Sequence, residues 1–201
     1  YRTATRGGGV VYGFDSFKGL PENWTNTGTL NPDKYTKRGS FSLGGKPPFP
    51  ETEHIKWVQG WYNETLPPFL AGRPGWSLSL LHIDCDLYSS TKAVFDALRP
   101  LIQPGLVIVF DELFNYPEFL EGELKALWEL LSARPDLSLE VVGTSTRNIN
   151  SASDYRPGQL GWLRTQLGRY QSCAVRLTAS TRPQRRRQHQ AARDDRQGLS
   201  S

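Results

Sequence analysis

The sequence predicts an α/β protein built on a buried parallel sheet with helices packed against it, and three observations carry that expectation. The apolar run Leu78-Ser79-Leu80-Leu81-His82-Ile83 stops at Asp84-Cys85-Asp86, and Leu106-Val107-Ile108-Val109-Phe110 stops at Asp111-Glu112. The stretch between them reads as a helix, which makes the segment a strand, a crossover helix and a parallel strand. A third run, Val10-Val11-Tyr12-Gly13-Phe14, ends in the same way at Asp15. Ligands of open α/β sheets bind at the edge where such strands end.

The elements follow in order along the chain. Val10 to Phe14 is short, β-branched and aromatic, and reads as a strand. Ser16 to about Glu53 is rich in Gly, Pro and Asn, too polar for core and long enough to suggest a functional loop. His54-Ile55-Lys56-Trp57-Val58 alternates like a strand and ends at Gln59-Gly60-Trp61, after which Asn63-Glu64-Thr65-Leu66-Pro67 reads as a capped turn of helix. Beyond the first acidic cluster, Ser89 or Ser90 is placed to cap a helix carrying Val94, Phe95, Leu98, Leu101 and Ile102 at three- and four-residue spacing. Pro104-Gly105 ends it. Pro117 suits a first helical turn and Glu118 and Glu121 its positive end, with Leu120, Leu124, Leu127, Trp128 and Leu131 as the expected buried stripe. Leu137 to Val142 and Cys173 to Leu177 are the remaining strand candidates.

Composition narrows the class further. A chain of 201 residues that is 37% hydrophobic can bury one substantial core, so a single domain over residues 1–179 is expected. The net charge of +4 is concentrated near the end, in Arg182-Pro183-Gln184-Arg185-Arg186-Arg187. The body is close to neutral, which does not support a nucleic-acid footprint. Residues 180–201 hold nothing to bury and read as a disordered basic tail. No run approaches the roughly 18 apolar residues of a membrane span, and no charged-then-apolar leader opens the chain, so the expectation is a soluble protein with the cytoplasm favoured. Cys85 and Cys173 read as buried fillers of strands, not as a disulfide. The chain contains no methionine, even at position 1, and begins a few residues before a strand, so a fragment of a longer protein is expected.

The acids at the strand ends point to a cation. Neighbouring strands lie about 4.8 Å apart, and magnesium binds oxygen at about 2.1 Å, so carboxylates on adjacent tips are able to close on one ion. In a strand Asp84 and Asp86 share a face while Cys85 turns away. Any one of these acids is equally explained as a cap or a solvated loop residue. Several of them at two strand ends joined by one crossover favour a site in which Asp84, Asp111 and Glu112 hold the ion and leave positions for a substrate oxygen. Asp15 has the short, two-acceptor side chain that suits a ribose diol.

Four segments carry a family resemblance: Val11 to Glu22 (VYGFDSFKGLPE), Gly60 to Pro67 (GWYNETLP), His82 to Thr91 (HIDCDLYSST) and Val109-Phe110-Asp111-Glu112. In that order they resemble the macrocin O-methyltransferase family, over about Val10 to Val142 with a fainter echo at Ala174-Val175-Arg176-Leu177. The resemblance implies a Rossmann-like class I methyltransferase sheet, S-adenosylmethionine and Mg2+ as cofactors, and methylation of a hydroxyl on a sugar or other small molecule. It implies that Asp15 holds the cofactor ribose, with Ser16 beside it among the cofactor-binding residues, that Gln59, Gly60 and Trp61 lie near the adenine, and that Asp84, Asp111 and Glu112 bind the metal. It also implies that Asp84 is the general base, with Asp86 as its substitute. Glu112 stands where the family often carries Asp.

The family's first strand and its Gly-rich turn have no counterpart, since Gly7-Gly8-Gly9 precedes a strand instead of following one. Two other readings stay open at this point. Asp84-Cys85-Asp86 fits the Asp-x-Asp pattern of a metal-dependent glycosyltransferase, and the chain is also consistent with a non-catalytic remnant of the methyltransferase fold. Acceptor choice is expected from the loops at Ser16 to Glu53 and Thr144 to Gln159, and homo-oligomer formation is left open.

Overall fold

The computed structural model describes residues 9–24, 37–114, 116, 118–144 and 171–181. Its strands are β1 (Val11–Asp15), β2 (Ile55–Gln59), β3 (Leu80–Ile83), β4 (Val107–Phe110), β5 (Leu137–Thr144) and β6 (Cys173–Ala179). The helices are α1 (Tyr62–Ala71), α2 (Tyr88–Leu98) and α3 (Glu123–Ala133), with 3-10 turns at Arg99–Leu101 and Phe119–Glu121. Residues 1–8, the 145–170 stretch and the basic tail from 182 lie outside the described residues, as does Pro117.

The strands form two sheets. β1 and β2 pair in parallel with Asp15 opposite Gln59. The second sheet runs β3-β4-β6-β5. Its β3 and β4 are parallel, with Ile83 opposite Phe110, whereas β6 is antiparallel to both β4 and β5. The strand, crossover and strand read from the sequence is therefore present as β3, α2 and β4. Among the described residues no strand pairs with the outer edge of β1 or with that of β3.

One apolar core joins the larger sheet to α2 and α3. Ile83, Ile108, Phe110, Val175 and Leu177 from the sheet meet Val94, Phe95 and Leu98 of α2 and Ala126, Leu127 and Leu130 of α3, all essentially buried. Burying each large side chain contributes roughly 1.5–3 kcal/mol. Phe14 of β1 and Leu66 and Leu70 of α1 pack against the same core, which ties the small sheet to the large one. Phe69 anchors the link by edge contacts to Tyr12 at 4.8 Å and Phe14 at 4.9 Å between ring centroids.

The helices depart from the sequence reading in three places. α2 begins at Tyr88, one residue before Ser89, and neither serine caps it; the cap position is Leu87, with no side-chain bond. The capped turn expected at Asn63 to Pro67 is a longer helix, Tyr62–Ala71, entered from Trp61 with no side-chain cap bond. The third helix starts at Glu123, and Phe119–Glu121 form a separate 3-10 turn. In α3 the buried positions are Glu123, Ala126, Leu127 and Leu130, so the expected stripe is corrected: Trp128 is 71% exposed and Leu120 64%. Positions 123, 126, 127 and 130 follow the spacing of one helix face, and Trp128 sits off it by one residue.

Candidate active site

Strand tips build the site. Asp15 closes β1, Gln59 closes β2, Asp84 follows β3 and Asp111 follows β4. The charges of Asp15 and Asp111 both act on Asp84, which puts the tips of the two sheets on one rim. Asp111 is held to the neighbouring strand β3 by its N–H donating to the Ile83 carbonyl at 3.0 Å.

At the β1 end, the Phe17 N–H donates to Asp15 Oδ1 at 2.7 Å, fixing that carboxylate. Ser16 is buried, and its Oγ accepts from the Lys18 N–H at 3.1 Å. The Gly60 N–H donates to the Asp15 carbonyl at 2.9 Å, which locks the end of β1 to the start of the loop into α1. Gly60 has φ +145, and a Cβ there would stand 2.6 Å from Thr65 Cγ2, so only glycine fits this junction. Gln59 Nε2 donates to the Gly45 carbonyl at 2.7 Å. The Trp61 carbonyl accepts from Thr65 Oγ1 at 2.9 Å.

At the β3 end, carboxylate oxygens of Asp84, Asp86 and Glu112 all lie within 4.8 Å of one another. Asp84 is exposed, Glu112 half-buried and Asp86 buried. Sequence reading placed Asp111 in this set; the structure brings Asp86 there instead, while Asp111 Oδ1 accepts from Ser172 Oγ at 3.2 Å at the flank. Asp86 reaches the cluster through its backbone, which has φ +61, with the Leu87 N–H donating to the Cys85 carbonyl at 2.6 Å across it. This three-residue turn is an uncommon and strained conformation for a side-chain-bearing residue. It turns Cys85 into the core and Asp86 toward Glu112.

Glu123 went unread in the sequence, where an acid ahead of an apolar stripe resembles any helix-start residue. It is fully buried at the first position of α3, and its Oε1 accepts from the Cys85 N–H at 3.2 Å, bracing the turn that presents Asp86. Glu123 Oε2 and Glu112 Oε2 are buried and hydrogen-bonded to nothing among the described residues.

Electrostatics follow from this crowding. Desolvation raises Asp86 and Glu112 above the carboxylate range; repulsion from Asp84 and Asp111 raises Asp86 further, against a lowering hydrogen bond with Glu112, and repulsion from Asp86, Asp111, Glu123 and Asp84 raises Glu112. Asp84 is raised by partial desolvation and then by Asp111. Burial pushes Glu123 far up, and pushes the Tyr62 phenol and Cys85 thiol up beside it. Like charges this close resist joint ionisation without a cation among them. An all-oxygen donor set with orphaned buried oxygens fits a hard divalent ion such as Mg2+.

Comparison with known proteins bears out the resemblance read from the sequence. Residues 50–122 match the family model described as macrocin-O-methyltransferase (TylF). A stretch of 115 residues is 27% identical to an 8-demethyl-8-(2,3-dimethoxy-alpha-L-rhamnosyl)-tetracenomycin-C 4'-O-methyltransferase of Streptomyces olivaceus, covering 51% of this chain and 41% of that relative. The chain thus aligns with less than half the length of that relative. In fold it is similar to the crystal structure of CalS11, a calicheamicin methyltransferase, at TM-score 0.52 and 24% identity over 83% of this chain and 60% of that one. The likeness to that structure is one of fold, an α/β sheet with flanking helices.

Proposed function

We propose that this chain carries the catalytic rim of an S-adenosylmethionine-dependent, metal-assisted O-methyltransferase acting on a hydroxyl of a sugar or another small molecule. The observation that carries the reading is the convergence of Asp84, Asp86 and Glu112 within 4.8 Å, on the rim that also holds Asp15. Asp84, Asp86 and Glu112 would hold the divalent ion, with Asp111 beside them. Such an ion supplies charge neutralisation and lowers the pKa of an acceptor hydroxyl.

The chain's own residues supply placement and a base. Asp15, fixed by the Phe17 N–H, offers acceptor oxygens to a ribose diol. The Gly60 junction brings Gln59 and Trp61 to the same end of the small sheet, where they would border the nucleoside of a bound cofactor. Asp84 takes the acceptor proton as the general base. Asp86 is its substitute. A sulfonium methyl is activated in the cofactor itself, so alignment and proton removal are what the protein adds.

Calorimetry of S-adenosylhomocysteine with the 201-residue chain, with and without Mg2+, tests this. Binding that is lost in Asp15→Ala while the melting temperature holds supports the reading. Binding of a uridine diphosphate sugar in place of S-adenosylhomocysteine would favour the glycosyltransferase, and binding of neither the remnant.

A further inference from the structure

We propose that Glu123 is the positioning residue of the carboxylate cluster: through the Cys85 backbone it holds Asp86 against Asp84 and Glu112 before any cation arrives. The proposal deepens the metal-assisted reading above and rests on it. Glu123 stands 38 residues beyond Cys85, and the Cys85 N–H donates to its Oε1 at 3.2 Å, so the start of α3 is tied to the turn after β3.

Packing does not explain an acid at this position. Glu123 shares its helix face with Ala126, Leu127 and Leu130 and is fully buried with them. An apolar side chain would suit that face, since a carboxyl taken out of water is costly unless its bonds are made. The helix dipole does not explain it either, because an acid in a first turn gains from the positive end while still in solvent. What the acid supplies, and an apolar residue cannot, is an acceptor for the Cys85 amide.

Two stresses on Asp86 make that acceptor matter. Its backbone has φ +61, which a side-chain-bearing residue keeps only where the surroundings over-determine it. Its carboxyl also lies among like charges that push it out of the cluster. The Leu87 N–H closes onto the Cys85 carbonyl at 2.6 Å while Glu123 grips the Cys85 N–H, so both backbone polar groups of Cys85 are pinned. The start of α3 is fixed in turn: a Cβ on Gly122 would overlap the Tyr116 hydroxyl, and the Tyr116 ring is braced by edge contacts to Trp24 at 6.1 Å and Phe119 at 6.2 Å. Released from Glu123, the turn relaxes and Asp86 moves away from Asp84 and Glu112.

Titration of the 201-residue chain with Mn2+, read by electron paramagnetic resonance well below the melting temperature of each variant, tests this. Glu123→Gln, which keeps the acceptor oxygen, is expected to bind within about threefold of wild type, and Glu123→Met, similar in volume without that oxygen, about 10- to 100-fold more weakly. Binding by Glu123→Met as tight as wild type would overturn the assignment, as would Glu123→Gln as weak as Glu123→Met. A second readout needs no metal and does not depend on Glu123→Met folding. Isotopic labelling of the chain's two cysteines gives separate amide signals for Cys85 and Cys173, told apart with Cys173→Ala. Slow hydrogen exchange at Cys85 in metal-free wild type and Glu123→Gln is the expected result, and rapid exchange in wild type would overturn the tie. A wild type that binds no Mn2+ but protects the Cys85 amide would sink the metal reading alone.

Discussion

Asp86 combines two unfavourable conditions, a left-handed backbone and a desolvated carboxyl among like charges. Asn tolerates that backbone, so Asp86→Asn removes a charge without removing the turn. The variant is expected to melt higher than wild type in EDTA and to lose the stabilisation that millimolar Mg2+ gives wild type, both read by differential scanning fluorimetry. A Mg2+ shift that survives in Asp86→Asn would place the ion elsewhere. The pH dependence has a definite sign. Asp86, Glu112 and Glu123 bind protons more tightly folded than unfolded. Their penalty is absent below the unfolded value, near 4, and grows as pH rises through the raised folded values. Metal-free protein should therefore melt higher at pH 5 than at pH 8, with Mg2+ narrowing the gap; a flat profile would contradict the carboxylate account.

At the scale of elements, the junction between β2 and α1 is the most exacting. Gly60→Ala combines a positive φ with overlap on Thr65, and should cost about 1–3 kcal/mol while weakening S-adenosylhomocysteine binding, as read by urea melts and calorimetry. The strand tips were legible because each apolar run stops abruptly at an acid, and Asp15, Asp84 and Asp111 all stand where that pattern put them. The exchange of Asp111 for Asp86 was not legible, since it depends on one backbone dihedral beyond the end of β3. The phase of α3 was misread for a related reason. Its buried first position is occupied by an acid, Glu123, which an apolar pattern passes over in favour of Leu120 and Trp128. Buried polar residues that serve a site run against the pattern from which helices are read.

Across the whole molecule, the α/β class and the crossover between β3 and β4 follow from periodicity that local rules capture. The division into two sheets does not, because pairing partners far apart in sequence decide it. No helix among the described residues is long and apolar enough to cross a membrane. Among the described residues the division leaves the outer sides of β1 and β3 without a strand partner, flanked by Val11 at 44% exposure and Leu80 at 54%. Such open ladders recruit any extended peptide, including another molecule of the same chain. Concentrated solutions should accordingly scatter light increasingly with time, and a Leu80→Lys variant, which sets a charge beside the open ladder, should stay clear at concentrations where wild type turns turbid.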